Sequence, residues 1–559
     1  MQISHWRLRV LFTLFALASL VLAGRLVYWQ TAARAHLLTG ATDQVRSDLV
    51  LAAQRGMIRD RNGAILATTV QLRSLYAIPA LVSDHAATAR SLGVLLGRDP
   101  VPLQAALDSR ADWLYLQRRL PESASVAIAA LAIPGLGFEN EPKRLYPNGT
   151  LGAQVLGFVN DDGSGVYGVE GRYDAALRGV DGRLVVDRDP ANRELALGLR
   201  HAVPAKAGTD LTLTIDLVAQ TAAERELAAA MVKEKATGGT IVVMDPRDGA
   251  ILALASAPSF DPARVRAADP EALRDRAIAW TYEPGSTMKA FTIAGALEEH
   301  LVKPTDTYND VGYAMVGGRR LNNALGKSYG TTSVTQILQR SLNAGAAWVG
   351  QKLGAQKLDA YLHAFGFGVL TGVDLAGEVN GTIRPLAEWY PVDVGTASFG
   401  QGLSVTPLQL AAGYSALANG GTLYRPYVVA SRRDADGEHR TAPVAIRRVV
   451  SAETAATVRA MLVSTVDDGI AHNAAIRGFS VGGKTGTAQI ASNDGRYVDD
   501  AYISSFAGFF PADAPQFVTV IVLDRPESRL LGTVTATTMF KGVAQDLLRY
   551  ARIQPDRAP

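Results

Sequence analysis

In Ser286-Thr287-Met288-Lys289, preceded by Glu283-Pro284-Gly285, a serine and a lysine stand three residues apart. On a helix, residues i and i+3 share a face, which puts Lys289 beside the Ser286 hydroxyl. A serine hydroxyl is a poor nucleophile at neutral pH, and an amine whose pKa is lowered by desolvation can take its proton as attack begins. Lys289 is the candidate base. Pro284-Gly285 permits a sharp entry into a helix with Ser286 at its positive N-terminal end, where a developing oxyanion is favoured. The chemistry this suits is acyl transfer. One S-x-x-K match carries little weight in a long chain, because an ordinary helix surface produces it.

Two later signals complete a constellation. Ser341-Leu342-Asn343 would reach the site from a short loop, the hydroxyl relaying a proton to a leaving amine and the amide bonding a substrate peptide group and orienting Lys289. In isolation this tripeptide reads as a helix-terminus serine with a solvated asparagine. Lys484-Thr485-Gly486-Thr487, after Gly482-Gly483, reads as an edge strand to which a substrate adds as a further strand, Gly486 letting its backbone approach closely. Lys484 supplies positive charge, the Thr485 and Thr487 hydroxyls can bond a terminal carboxylate, and the Thr487 backbone N–H would join that of Ser286 in an oxyanion hole. Three signals in this order are far more informative than any one.

The elements that must position them are legible as periodicity. Thr240 to Met244 and Ala250 to Ala255 flank a turn at 245–249, and Ser505 to Phe510 and Phe517 to Leu523 flank a turn at 511–515, all apolar and β-prone. Thr535 to Tyr550 reads as an amphipathic helix. Antiparallel strands from both ends of the region, with helices between, predict an α+β domain with one sheet covered by helices. Upstream, 204–210 reads as a boundary, followed by a strand at Leu211 to Ile215 and a helix from Asp216. Asp60-Arg61-Asn62-Gly63 is a hairpin signal. Arg55, Arg59 and Arg61 are either a surface charge run or part of a buried ionic network. The polar run 491–497 reads as a solvated hairpin tip, with a role in choosing the acceptor as the rival.

The 559 residues exceed one core and predict two or three domains. With 56 basic and 53 acidic residues the net charge is +3, which gives no argument for nucleic-acid binding. The chain has no cysteine, excluding disulfides and thiolate chemistry, and its 8 histidines form no metal motif. After His5, Arg7 and Arg9, an apolar run from Val10 to Ala23 continues past Gly24 and Arg25 through Trp29. This predicts an uncleaved membrane anchor; a signal peptide cleaved near Gly24 is the rival. Basic residues ahead of it, with no acid until Asp43, place the N-terminus in the cytoplasm and the bulk of the chain outside.

On these motifs the chain resembles the class B penicillin-binding proteins, the monofunctional peptidoglycan transpeptidases of bacterial division and elongation. The resemblance covers most of the sequence. Residues 55–63, 144–149 and 168–171 are similar to the family's pedestal boxes, and 399–410 to its segment between the second and third motifs. It implies the serine β-lactamase and DD-peptidase fold, a five-stranded antiparallel sheet covered by helices, on an elongated mixed pedestal. The expected organisation is a cytoplasmic tail 1–9, an anchor 10–29, a dimerisation-type pedestal 30–210, a transpeptidase domain 211–553 and a tail 554–559. Catalytic residues would be Ser286, Lys289, Ser341, Asn343 and Lys484, with Thr485, Gly486 and Thr487 binding substrate and no metal or cofactor. Implied partners are peptidoglycan stem peptides on lipid II-derived glycan, β-lactams, a SEDS-family membrane glycosyltransferase and divisome proteins, with Arg25 marking a contact in the membrane. The Glu-Pro-Gly-Ser-Thr approach and moderate length favour the septal branch over the side-wall branch. Rival readings are a β-lactamase or carboxypeptidase, for which Glu378 and Glu388 do not fit the required glutamate, and a β-lactam sensor or silent scaffold.

Overall fold

The computed structural model describes residues 5–35, 46–187, 194–195, 199–491, 497–527 and 532–558. They form two compact units, one of Met1–Gln54 with Arg178–Gly208, the other of Arg55–Leu177 with Thr209–Pro559. In the first, residues His5–Gln30 form a 26-residue helix that buries no side chain. At 1.5 Å per residue it is ~39 Å long, enough to cross a ~30 Å hydrocarbon layer. Strands Arg46–Leu51, Gly182–Asp187 and Arg200–Val203 pair antiparallel in a small sheet, with Arg183 Nε donating to Asp48 Oδ1 at 2.8 Å across the first pair.

The second unit is built on two sheets. One runs Gly437–Arg440, Val429–Asp434, Asp210–Leu213, Ile58–Arg59, Ile65–Ala77 and Leu114–Leu120, with Leu136–Leu145 also paired to Ile65–Ala77. It joins strands far apart in the chain. The hairpin expected at 60–63 is present: Asp60 Oδ1 accepts from Asn62 N (2.9 Å) and Ala64 N (2.8 Å), and Ile58 pairs with Ala67. Of the arginines left open by sequence, Arg61 is exposed and Arg59 half-buried, while Arg55 lies in a buried ionic cluster. Arg55 donates to Glu170 Oε2 (2.8 and 2.5 Å) and Asp174 Oδ1 (2.8 Å), and Arg144 Nε to Glu170 Oε1 (2.7 Å). Glu170 is fully buried. The three segments resembling pedestal boxes thus meet at one carboxylate.

The other sheet carries the three motifs. Helix α1 (Leu217–Glu234), N-capped by Asp216 through Val218 N at 2.9 Å, leads into strands β1 (Gly238–Met244) and β2 (Ile251–Ala257). Helices α2 (Lys289–Glu298), α3 (Val334–Arg340), α4 (Asn343–Leu353), α5 (Pro407–Ala418) and α6 (Ala452–Asp467) follow. Strands β3 (Gly482–Ala491), β4 (Tyr497–Phe510) and β5 (Phe517–Asp524) and helix α7 (Gly532–Tyr550) close the chain. The five strands are antiparallel in the order β2-β1-β5-β4-β3, the α+β architecture expected. Ile241, Val243, Phe506 and Ile521 pack on one face with α1 and α7 through Leu227, Phe540 and Leu547. Val242, Met244, Phe509 and Val520 alternate onto the other, against Phe291, Leu408 and Leu462 of the intervening helices. Burial of each such side chain contributes ~1.5–3 kcal/mol, so packing on both faces holds the sheet.

Candidate active site

The turn that carries Ser286 is held from three sides. Gly285 has φ +56°, and its N–H donates to Gly400 O at 3.0 Å. A single 3-10 turn, Gly285–Met288, passes straight into α2, which places Ser286 at a helix start and Lys289 at the first residue of α2. Thr287 Oγ1 donates to Pro284 O (2.8 Å) and Tyr414 of α5 donates to Thr287 O (2.9 Å). All twelve residues of α5 are buried, and its start is fixed by a reciprocal Thr406–Gln409 capping box. The segment 399–402 therefore acts as a brace: a side chain at Gly400 would collide with the Gly285 backbone.

Lys289 is fully buried, and its ammonium directs three donors to Ser341 O (2.6 Å), Asn343 Oδ1 (2.8 Å) and Ser341 Oγ (3.2 Å). Every acceptor is neutral. Burial, and after it the positive charge of Lys484, hold the Lys289 amine well below the usual lysine range. None of its hydrogen bonds goes to Ser286, whose half-buried hydroxyl makes none among the described residues. Helical spacing alone did not show that the second motif, not the serine, fills the amine's donor positions.

Ser341 ends α3 in a left-handed conformation, φ +57°, before α4 begins at Asn343. A non-glycine residue held there costs on the order of 1–3 kcal/mol, and here the reversal turns the Ser341 carbonyl onto Lys289. Asn343 Nδ2 donates to Asn322 O at 3.1 Å, fixing which end of its amide faces the lysine.

Strand β3 is the sheet's edge, as expected. Lys484 is fully buried with Nζ bonded to Thr485 O (3.1 Å) and Thr485 Oγ1 (3.2 Å), and desolvation lowers its pKa to about 7. Thr485 is buried, whereas Thr487 is exposed, so of the two hydroxyls the one at Thr487 is open to solvent. Gly486 has a need within the chain: a Cβ there would lie 2.9 Å from Pro284 O and closer still to Ser505 Oγ. A Cβ on Gly285 would sit 3.1 Å from Thr487 O, so the backbones of the Ser286 turn and Thr487 share one edge.

Sequence reasoning missed several neighbours. The Glu283 carboxylate accepts from Gly402 N (2.9 Å) and Tyr497 OH (3.1 Å), joining the Ser286 turn to the brace and to β4; its pKa is raised by desolvation. Its place before Pro284 was the available signal. Asn322 carried none. Glu378, weighed against a hydrolase, bonds Thr371 N (2.7 Å) and Gly372 N (3.1 Å), and Glu388 is exposed. Residues 492–496 of the polar run lie outside the described residues.

Geometry of this kind is that of a serine acyltransferase, and relatives agree. A model described as the penicillin binding protein transpeptidase domain matches residues 239–545, and the penicillin-binding protein dimerisation domain matches 50–213. Stage V sporulation protein D of Bacillus subtilis (strain 168) is 35% identical over 563 residues, spanning 98% of this chain and 86% of that protein. Peptidoglycan D,D-transpeptidase FtsI of Escherichia coli (strain K12) is 30% identical over 561 residues, spanning 99% and 93%. Penicillin binding protein 3 of Mycobacterium tuberculosis, in its complex with aztreonam, superposes with TM-score 0.72 at 28% identity, over 91% of this chain and 98% of that one. The chain belongs to the class B penicillin-binding proteins, the serine-type D,D-transpeptidases.

Proposed function

We propose that Ser286 attacks the carbonyl between the two terminal D-alanines of a peptidoglycan stem peptide, releases D-alanine and passes the acyl group to an amine of a neighbouring stem. The observation that carries this is the burial of the Lys289 amine against neutral acceptors, with no carboxylate among its hydrogen-bond partners. An uncharged amine has two donors and a lone pair. It can keep the two short bonds to Ser341 O and Asn343 Oδ1, give up the longer one to Ser341 Oγ, and use the lone pair to take the Ser286 proton. The Ser341 hydroxyl, released from Lys289, relays a proton to the leaving amine. The Ser286 and Thr487 N–H groups stabilise the oxyanion, Lys484 and the Thr487 hydroxyl hold the terminal carboxylate with Thr485 behind them, and the donor lies along the edge strand beside Gly486. A β-lactam would imitate the donor and remain on Ser286.

The apolar helix His5–Gln30 fits a single-pass anchor in the cytoplasmic membrane, with the N-terminus inside and the chain that follows the helix outside. We assign the chain to septal wall synthesis, supported by the Glu283–Thr287 approach and by the moderate length of the chain. Arg25, costly in hydrocarbon unless partnered, would face a multi-spanning SEDS-family glycosyltransferase of the divisome. Fluorescent-penicillin labelling beside Ser286→Ala, followed over hours, tests the core of the reading. Stable label lost in the variant supports it; rapid loss of label indicates a hydrolase, and no labelling of folded protein revives a scaffold.

A further inference from the structure

Beside Asn343, a hairpin of Tyr313–Val316 and Arg319–Asn322 pairs Tyr313 with Asn322 and Met315 with Arg320. The Arg320 guanidinium lies 3.9 Å from the Tyr313 ring centroid, and its Nε donates to Asn322 Oδ1 at 3.0 Å. Asn322 O in turn accepts from Asn343 Nδ2, and Asn343 Oδ1 accepts from Lys289. Asn322 thus holds Arg320 with its side chain and Asn343 with its backbone carbonyl, which places an exposed arginine at the border of the site. Among the described residues Arg320 makes no ion pair, and its two terminal nitrogens have no hydrogen bond. Asp310, the carboxylate nearest along the hairpin, is buried and bonded to Asn323 Nδ2 (2.9 and 3.1 Å) and Tyr329 N (3.0 Å). Exposed Arg319 and Lys327 on the same insertion likewise make no ion pair among the described residues.

We propose that Arg320 binds a carboxylate of the stem peptide and so helps select acidic stems, an inference that rests on the transpeptidase reading. A guanidinium stacked on a ring and tethered at Nε has already lost much of its rotamer freedom, and its outer edge presents two parallel N–H groups matched to a carboxylate. Unneutralised Arg319 and Lys327 add a positive field that attracts the same group. The hairpin borders Asn343 through Asn322, so a carboxylate on Arg320 would lie beside the stem peptide near Asn343. It is carried by the donor stem or by the acceptor stem beside it.

The test uses the full chain in detergent, with peptides ending in D-Ala-D-Ala that carry an internal free carboxylate or the matching carboxamide, and acceptor peptides varied in the same way. A charge-assisted pair lost from a binding site corresponds to roughly a tenfold change or more. Arg320→Gln is expected to raise KM about tenfold for the carboxylate donor, with kcat little changed and the carboxamide donor unaffected. Arg320→Lys retains part of the preference. The same discrimination seen with the acceptor pair instead assigns the carboxylate to the acceptor. Penicillin labelling equal to wild type certifies the fold of each variant, and Arg320→Lys serves if Arg320→Gln does not label. Equal KM changes for carboxylate and carboxamide peptides, or none, overturn the inference. A wild-type enzyme that labels yet releases no D-alanine from any peptide overturns the transpeptidase reading and this one with it, a pattern distinct from failure at Arg320 alone.

Discussion

Two clusters of buried cationic side chains stand in the same unit and are solved in opposite ways. Around Glu170, each guanidinium meets a carboxylate: Arg55 reaches Glu170 and Asp174, and Arg144 reaches Glu170. Around Ser286, two amines are buried as deeply, and neither Lys289 nor Lys484 forms an ion pair among the described residues. Supplying countercharge raises the Arg55 pKa against its desolvation and ties three distant segments together. Withholding it lets desolvation depress the lysine pKa values, the condition that the proposed mechanism requires of a base for Ser286. Depth of burial is common to both; the partner decides between architecture and reactivity.

The largest effect should come from removing the base. Lys289→Met is expected to slow acylation by penicillin about 10³-fold while binding persists, measured by stopped-flow or gel-based labelling. Glu170→Gln attacks the other cluster: two buried guanidinium groups lose their shared charge, which should cost roughly 3–5 kcal/mol and lower Tm without changing the acylation rate per folded molecule.

A third test compares pH dependence. Lys484 has a folded pKa of about 7 against the ordinary lysine value of 10.5, so the unfolded chain binds a proton that the folded chain has lost between these values. The penalty is complete below about 7 and vanishes as pH rises toward 10, so stability from this group rises with pH. Lys484→Met should therefore be more stable than wild type at pH 7, by about 4 kcal/mol at most and seen as a higher Tm, and the gap should close toward pH 10. A gap independent of pH would show that the amine is solvated. The smallest effect is Tyr497→Phe, which removes one hydrogen bond to Glu283 and should cost about 0.5–1.5 kcal/mol, seen as a modest drop in acylation rate.

Much of the catalytic sheet was legible because its strands alternate between two apolar layers, as in 240–244 and 517–523, and because Gly482-Gly483-Lys484 reads as an edge. The three motifs were legible as residue types whose chemistry demands one another. Of their contacts, Asn343 on Lys289 was expected, but the Ser341 carbonyl was not: i to i+3 spacing suggested Lys289 against Ser286, whereas the left-handed turn at Ser341 captures the amine. The Arg55–Glu170 pair spans 115 residues, and the sheet joining Ile58–Arg59 to Asp210–Leu213 and Val429–Asp434 spans more, distances over which local periodicity carries no information. Arg320 and Asn322 sit in a hairpin whose exposed polar residues look like any solvated turn until Asn343 is placed beside them.

The most direct test gives the catalytic amine the kind of partner the other cluster has. Asn343→Asp sets a carboxylate where the amide oxygen now stands 2.8 Å from Lys289 Nζ. The penicillin acylation rate of this variant, measured against pH beside wild type, should fall at least ~100-fold near pH 7.5 and recover toward alkaline pH as Lys289 loses its restored proton. A rate within about twofold of wild type, with an unshifted pH profile, would contradict the account, because Lys289 would then need no neutral surroundings to serve Ser286.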